Sequence, residues 1–519
     1  MNKRSIGSAL LIGALTIFTF VLWPAKKAVS NKRKNEAEKE NFQLEGASIA
    51  DIQLAFKKEQ LSCVELTDRY LERIYAYDQQ GPAINAVRMV NPYAREEAEK
   101  KDKERAAGIT GALHGIPVIL KDNIETGDGM PTTGGSPALA ANTAEEDAFL
   151  TAKLKEAGAV ILGKANMSEW AYFLTEGAPS GYSSIGGQVK HPYGPESFRA
   201  GSVGGSSSGS GAAIAADFAV IGIGTETSGS ILSPASANSI VGIKPTVGLV
   251  SRSGIIPLAG SQDTAGPMAR TVADAAIALG AMSGVDDKDP ITKTNKNKDL
   301  TDYSSFLKKE SLQGARIGVD YSFLSEKGKE ERQLIERAIE DMEDQGAVIK
   351  EVEIPNESFE SLVLWHELKQ DLNAYLRKTP EQVPVSSIAD VIAFNKEKPH
   401  ERMRFGQTHF EKAEKLSGDA EDPEYVKHRQ TDLRLSTTEG LDVVMQEEKL
   451  DALLFENNHG AAMPAKAGYP SITIPAGYTS EGMPVGVTLT AQAYSEPRLI
   501  ELAYSYEQAS NRRRAPQLV

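Results

Sequence analysis

The chain has 519 residues, 40% hydrophobic and 25% charged, with 45 Gly and 25 Pro, a composition without collagen-like, disordered or solenoid bias and with ample length for a large core. A formal net charge of -14 and a pI near 5.2 argue against a nucleic-acid surface, which needs clustered cations that acids do not offset. A single cysteine, Cys63, excludes an intrachain disulfide and a multi-cysteine metal site; its helical spacing with Leu66, Tyr70 and Ile74 reads as a small buried hydrophobe.

Lys3 and Arg4 precede an uncharged stretch from Ser5 to Trp23, 19 residues long, which is enough for a helix to cross the hydrocarbon layer. A basic run from Lys26 to Lys34 and a polar tract to about Phe42 follow. No clear small-x-small cleavage site ends the apolar run, so it reads as an uncleaved membrane anchor through residues 5–23, the chain being secreted instead if the segment is removed. This divides the chain into residues 1–42, with an N-terminal apolar helix and linker, and a folded domain over 43–519.

In the folded domain, Ser62 and Glu65 have capping-box spacing ahead of an amphipathic helix to about Tyr77. Short apolar runs at 117–120, 159–162 and 219–223 then alternate with helices and glycine-rich turns, the pattern of an α/β core. Thr143 and Glu146 are placed as the cap of the helix that ends near Gly158. Residues 284–314 read as a polar surface loop, 315–319 as a strand, 330–345 as an amphipathic helix stopped by Gly346, and 348–354 as a strand. Residues from about 355 to 449 are helical and charged, a cap-like insertion over the core. Strands at 452–455, 471–474 and 485–489 and a helix at 499–508 return to the core.

Three segments carry the chemistry. PVILKDN at 117–123 puts Lys121 at the end of an apolar strand, where desolvation favours the neutral, proton-accepting amine. GSVGGSSSGSG at 201–211 is too rich in glycine and serine to be chosen for stability, and implies backbone held close to something. GTETSGS at 224–230 again runs from a strand into a small-residue turn, with Ser230 at its tip. A lysine base and serine hydroxyls form an alternative to Ser-His-Asp chemistry.

Alternatives for the same residues are weaker. Gly205, Ser207 and Gly209 fit G-x-S-x-G, but a nucleophile elbow needs a strand before it, and residues 197–203 are polar. His114 sits in a motif block but fits packing or hydrogen bonding better than catalysis. His191, His366 and His459 lack ligand spacing, and neither glycine run ends in Gly-Lys-Ser/Thr, so no metal and no phosphate-bearing cofactor is expected. Lys121 taken alone reads as a salt-bridged lysine with Asp122 as its partner.

The ordered blocks LHGIPVILKDN (113–123), GKANMSEW (163–170), GGSSSGS (204–210), GTETSGSI (224–231), VGIKPTVGLVSRSGIIP (241–257) and SQDTAGPMARTVADA (261–275) together resemble the amidase signature family, and within it the peptide amidases. The resemblance implies a single large α/β domain: a mixed, twisted sheet with helices on both sides. It implies Ser230 as the acyl-forming nucleophile, Ser206 as the bridging serine behind a cis Gly205–Ser206 bond, and Lys121 as the base. It also implies an oxyanion hole from the backbone N–H groups of Thr227, Ser228, Gly229 and Ser230. Where this chain has Ser228 the family commonly has glycine, and where it has Glu226, aspartate. The expected substrate is a small-molecule or peptide amide, possibilities that include removal of a peptide's C-terminal amide. Rival readings are a small-molecule or fatty-acid amidase, the A subunit of glutamyl-tRNA amidotransferase, and an inactive membrane-tethered binding protein.

Overall fold

Thirteen strands form among the described residues, residues 42–194 and 202–518 of a computed structural model. They are β1 (Val87–Val90), β2 (Pro117–Lys121), β3 (Val160–Ala165), β4 (Tyr182–Ser183), β5 (Gly187–Gln188), β6 (Ile221–Glu226), β7 (Val241–Lys244), β8 (Thr264–Ala269), β9 (Arg316–Val319), β10 (Val348–Glu351), β11 (Ala452–Glu456), β12 (Ser471–Tyr478) and β13 (Pro484–Thr490). Apart from the β4–β5 ribbon they make one sheet in the order β1-β3-β2-β6-β8-β7-β12-β13-β11-β9-β10. It is mixed. β2 lies parallel to both β3 and β6, and β9 parallel to β10 and β11, whereas the pairs between β6 and β11 are antiparallel.

Every residue of β2, β3, β6, β7, β8, β11 and β13 is buried. Side chains of a strand alternate between faces, so a wholly buried strand is covered on both, and this is why these segments read as apolar runs rather than alternating ones. Among the covering helices are Ser208–Ala215 against β6, Val272–Met282 against β8, and Glu330–Asp344 and Glu496–Ser510 against β12 and β13.

Local chemistry sets the boundaries. The Ser62 hydroxyl accepts from Glu65 N and the Glu65 carboxylate from Ser62 N, the reciprocal cap that starts Cys63–Arg73. Gly346, at φ +88°, ends Glu330–Asp344 where a side chain would be strained. The Thr143–Glu146 cap is not formed. Thr143 is in a β-bridge to Pro131, Glu146 pairs with Lys288 at the surface, and the helix begins later, at Phe149–Glu156, behind Ala148. Strand β6 also runs later than the apolar run that marked it, since its last three residues, Gly224, Thr225 and Glu226, are polar or small yet buried.

Residues 355–449 are helical, with Val363–Leu376, Ile388–Glu397, Thr408–Glu414 and Pro423–Ser436 the longer elements. This insertion has an apolar cluster of its own. Leu368, Leu372, Leu376, Ile388 and Phe410 pack with Leu139, Trp170, Ile256 and Leu258 of the core. The apolar segment 5–23 lies outside the described residues; among those described, no helix is long and apolar enough to cross a membrane. Phe42–Val519 is one compact unit.

Candidate active site

Parallel pairing of β2 with β6 sets Leu120 opposite Ile223, so Lys121 and Thr225 emerge at the same edge of the sheet. Lys121 is fully buried. Its Nζ lies 2.8 Å from Ser206 Oγ, 2.9 Å from Thr225 Oγ1 and 3.2 Å from the Thr225 carbonyl. Among the described residues, no carboxylate forms an ion pair with it. Burial pulls its pKa down from 10.5 to about 7, outweighing the opposing pull of the more distant Asp263 and Glu226. Asp122, its expected partner, instead meets Arg88 at 2.5 Å and takes the Thr133 hydroxyl.

The Gly205–Ser206 peptide bond is cis. Glycine is required on its N-terminal side, because a Cβ on Gly205 would come within 2.1 Å of Ser180 Oγ and 2.7 Å of Ser168 Oγ. The Ser206 carbonyl accepts Ser168 N–H at 3.1 Å, and Ser208 Oγ donates to the Gly204 carbonyl at 2.6 Å. Ser207, the G-x-S-x-G decoy, is fully buried. Its hydroxyl donates to the Thr225 carbonyl at 3.1 Å and accepts Thr225 N–H at 3.2 Å, so it zips the serine loop to the end of β6.

Ser230 reaches the same place from the other side. Ser207 N–H donates to the Ser230 carbonyl at 3.2 Å, which ties the two turns together. The Ser230 hydroxyl donates to no protein group among the described residues, and the residue is 8% exposed. Thus Lys121 and Ser206 are in direct hydrogen-bond contact, and Ser230 joins them through backbone.

Glu226 shapes the turn from Thr227 to Ser230 from within. Its carboxylate accepts Gly229 N–H and Ile231 N–H, each at 2.7 Å, and Leu232 N–H at 3.1 Å. The Gly229 N–H is therefore occupied, while those of Thr227, Ser228 and Ser230 have no protein acceptor among the described residues. Gly229 takes φ +80°, a conformation that favours glycine. Thr227 Oγ1 donates to Asp263 at 2.6 Å.

Asn123, Thr225 and Asp263 were not legible as site residues, although each lies in a motif block. Asn123 Nδ2 donates to Thr225 Oγ1 at 3.0 Å. A cleft of about 990 Å³ opens beside the site; Asn123, Thr225 and Thr227 line it, and Thr225 links it to Lys121, whose Nζ donates to the Thr225 hydroxyl. His114 is spent on structure, its Nε2 lying 2.9 Å from the Lys101 carbonyl. Burial and the nearby Asp102 push the Cys63 thiol up to about 12, so it stays protonated in the core.

Comparison with known proteins identifies the family. A probable amidase of Arabidopsis thaliana is 40% identical over 493 residues, covering 92% of this chain and 93% of that protein. The native peptide amidase of Stenotrophomonas maltophilia superimposes with a TM-score of 0.85 at 41% identity, covering 92% of this chain and 99% of the other. An amidase family protein of Bacillus anthracis gives a TM-score of 0.86 at 42% identity, covering 91% and 93%. The A subunit of glutamyl-tRNA(Gln) amidotransferase of Halorhodospira halophila is 33% identical over 495 residues, 89% of this chain and 97% of the subunit. With residues 65–500 matching the Amidase family model, the chain belongs to the amidase family, the amidase signature enzymes, and is an amide-cleaving hydrolase.

Proposed function

We propose that the chain hydrolyses non-backbone C–N amide bonds through Lys121, Ser206 and Ser230, with the C-terminal amide of a peptide as the preferred substrate. The observation that carries this reading is the 2.8 Å contact between a buried, deprotonatable Lys121 amine and the Ser206 hydroxyl. Neutral Lys121 takes the Ser206 proton while Ser206 takes that of Ser230, whose oxygen bonds to the amide carbon. The Ser207–Ser230 backbone bond supports this relay by holding the two serine-bearing turns together. The free N–H groups of Thr227, Ser228 and Ser230 stabilise the oxyanion, each worth about 3 kcal/mol. The proton returns through Ser206 to the leaving nitrogen, the C–N bond breaks, and water then cleaves the Ser230 ester to release the acid.

The peptide-amide preference is supported by the likeness to the Stenotrophomonas maltophilia enzyme. Identity to the amidases, 40–42%, exceeds the 33% to the amidotransferase subunit, which favours an independent hydrolase over that rival. Retention of Lys121, Ser206 and Ser230 argues against a silent binding protein. Residues 5–23 support attachment to a membrane. The decisive assay measures ammonia release from amidated peptides, short aliphatic amides and fatty amides. Activity surviving in purified Ser230→Ala overturns the mechanism, and fatty amides outpacing peptide amides overturns the preference.

A further inference from the structure

The cleft beside the site is one-sided in charge, lined by eight carboxylates and three cations. Two of those cations are already engaged: Arg252 contacts Asp289 at 2.6 and 2.8 Å, and Lys288 contacts Glu146 at 2.8 Å. Lys378 remains. Against it stand Asp371, Asp263 and Glu125, none with a cation in ion-pair contact among the described residues. Neutral donors hold them instead. Asp371 Oδ2 accepts Gly260 N–H at 2.9 Å, Asp263 accepts Leu258 N–H at 2.7 Å and Ala259 N–H at 2.9 Å, and Glu125 accepts the Tyr375 hydroxyl at 2.8 Å. Asp371 Oδ1 accepts no hydrogen bond among the described residues.

An independent feature at the inner end also calls for a donor. Asn123 lines the cleft at 3% exposed, and its Oδ1 has no hydrogen-bond partner among the described residues. A buried carbonyl left unpaired is destabilising, and a ligand N–H would relieve it.

We infer that the cleft selects amides whose acyl part carries an ammonium or guanidinium group, with the cation between Asp371 and Glu125 and the amide N–H on Asn123 Oδ1. This rests on the hydrolase reading above. Hydrolysis turns a neutral amide into a carboxylate, which the same walls repel, so the lining also speeds product release.

The test is calorimetric binding to full-length Ser230→Ala, which needs no turnover. Probes are three peptides of equal length ending in arginine amide, norleucine amide or glutamic acid α-amide. The arginine peptide binds about tenfold more tightly than the norleucine peptide at low salt and loses most of that margin in 0.5 M NaCl, about where the screening length drops to a few ångströms. Adding Asp371→Asn, which keeps an acceptor for Gly260 N–H, cuts the ratio about fivefold; Glu125→Gln supplies a second reading should that variant misfold. Equal binding of the arginine and norleucine peptides, or preference for the glutamic acid peptide, overturns the inference. If wild type still releases ammonia from neutral amides, only this inference has failed. If it releases none from any amide, the Ser-Ser-Lys reading fails while calorimetry still reports on the cleft.

Discussion

Lys121 and Asp122 are chain neighbours that serve separate networks, the amine reaching Ser206 at 2.8 Å and the carboxylate reaching Arg88 at 2.5 Å. Successive side chains at the end of an extended strand point to opposite sides. Lys121 is thereby kept out of ion-pair contact with its neighbouring acid, and its pKa is free to fall.

That separation sets the pH dependence. Only the neutral amine accepts a proton, and burial brings its pKa to about 7, so kcat/KM rises with pH up to about 7 and levels above it. On the acid limb the slope is about tenfold per pH unit. A flat profile from about pH 5 to 9 with a neutral amide, under conditions where chemistry limits the rate, counts against Lys121 as the base.

Arg88→Met leaves the fully buried Asp122 carboxylate without its cation. Breaking a buried ion pair on one side costs about 3–5 kcal/mol, and the loss is read in urea denaturation. A change below about 1 kcal/mol would mean that the Thr133 hydroxyl and N–H, with the charge of the nearby buried Lys164, suffice.

Adjacent serines separate function from structure. Ser206→Ala removes the proton bridge and lowers kcat by at least about a hundredfold with little change in melting temperature. Ser207→Ala strands Thr225 N–H inside the core and costs about 1–3 kcal/mol of stability, measured by thermal unfolding. The reverse pattern, with Ser207→Ala folded normally but dead, would revive the nucleophile-elbow reading.

Glu226→Ala deletes the acceptor of three backbone N–H groups in the nucleophile turn. The expected result is a fall of about a hundredfold in kcat with a smaller change in KM, since the turn presents both the Ser230 oxygen and the oxyanion donors. Wild-type kcat in a stopped-flow acylation assay would show that the turn holds without the carboxylate.

A chain beginning at Phe42 retains the compact unit and is expected to retain amide hydrolysis. Full-length protein should sediment with membranes and resist high-salt extraction, whereas the shortened chain stays in the supernatant. Equal partition of both forms would remove the anchor reading.

The sequence by itself determined the strand that ends at Lys121, the α/β alternation, the reciprocal Ser62–Glu65 cap and the helical insertion over 355–449, because each depends on neighbours a few residues away. It also displayed the blocks holding Lys121, Ser206 and Ser230. Tertiary structure alone decided what those residues touch: Thr225, 104 residues from Lys121, as its acceptor, and Asp371 and Glu367, 111 and 106 residues from Gly260 and Ser261, as the carboxylates that hold their N–H groups. Such partners are chosen by how a mixed sheet and its cap pack, and local periodicity carries no record of that packing. The same limit hid the Gly229 contact with Glu226, since a glutamate at a strand's end accepts from the following turn only once the backbone has curled around it.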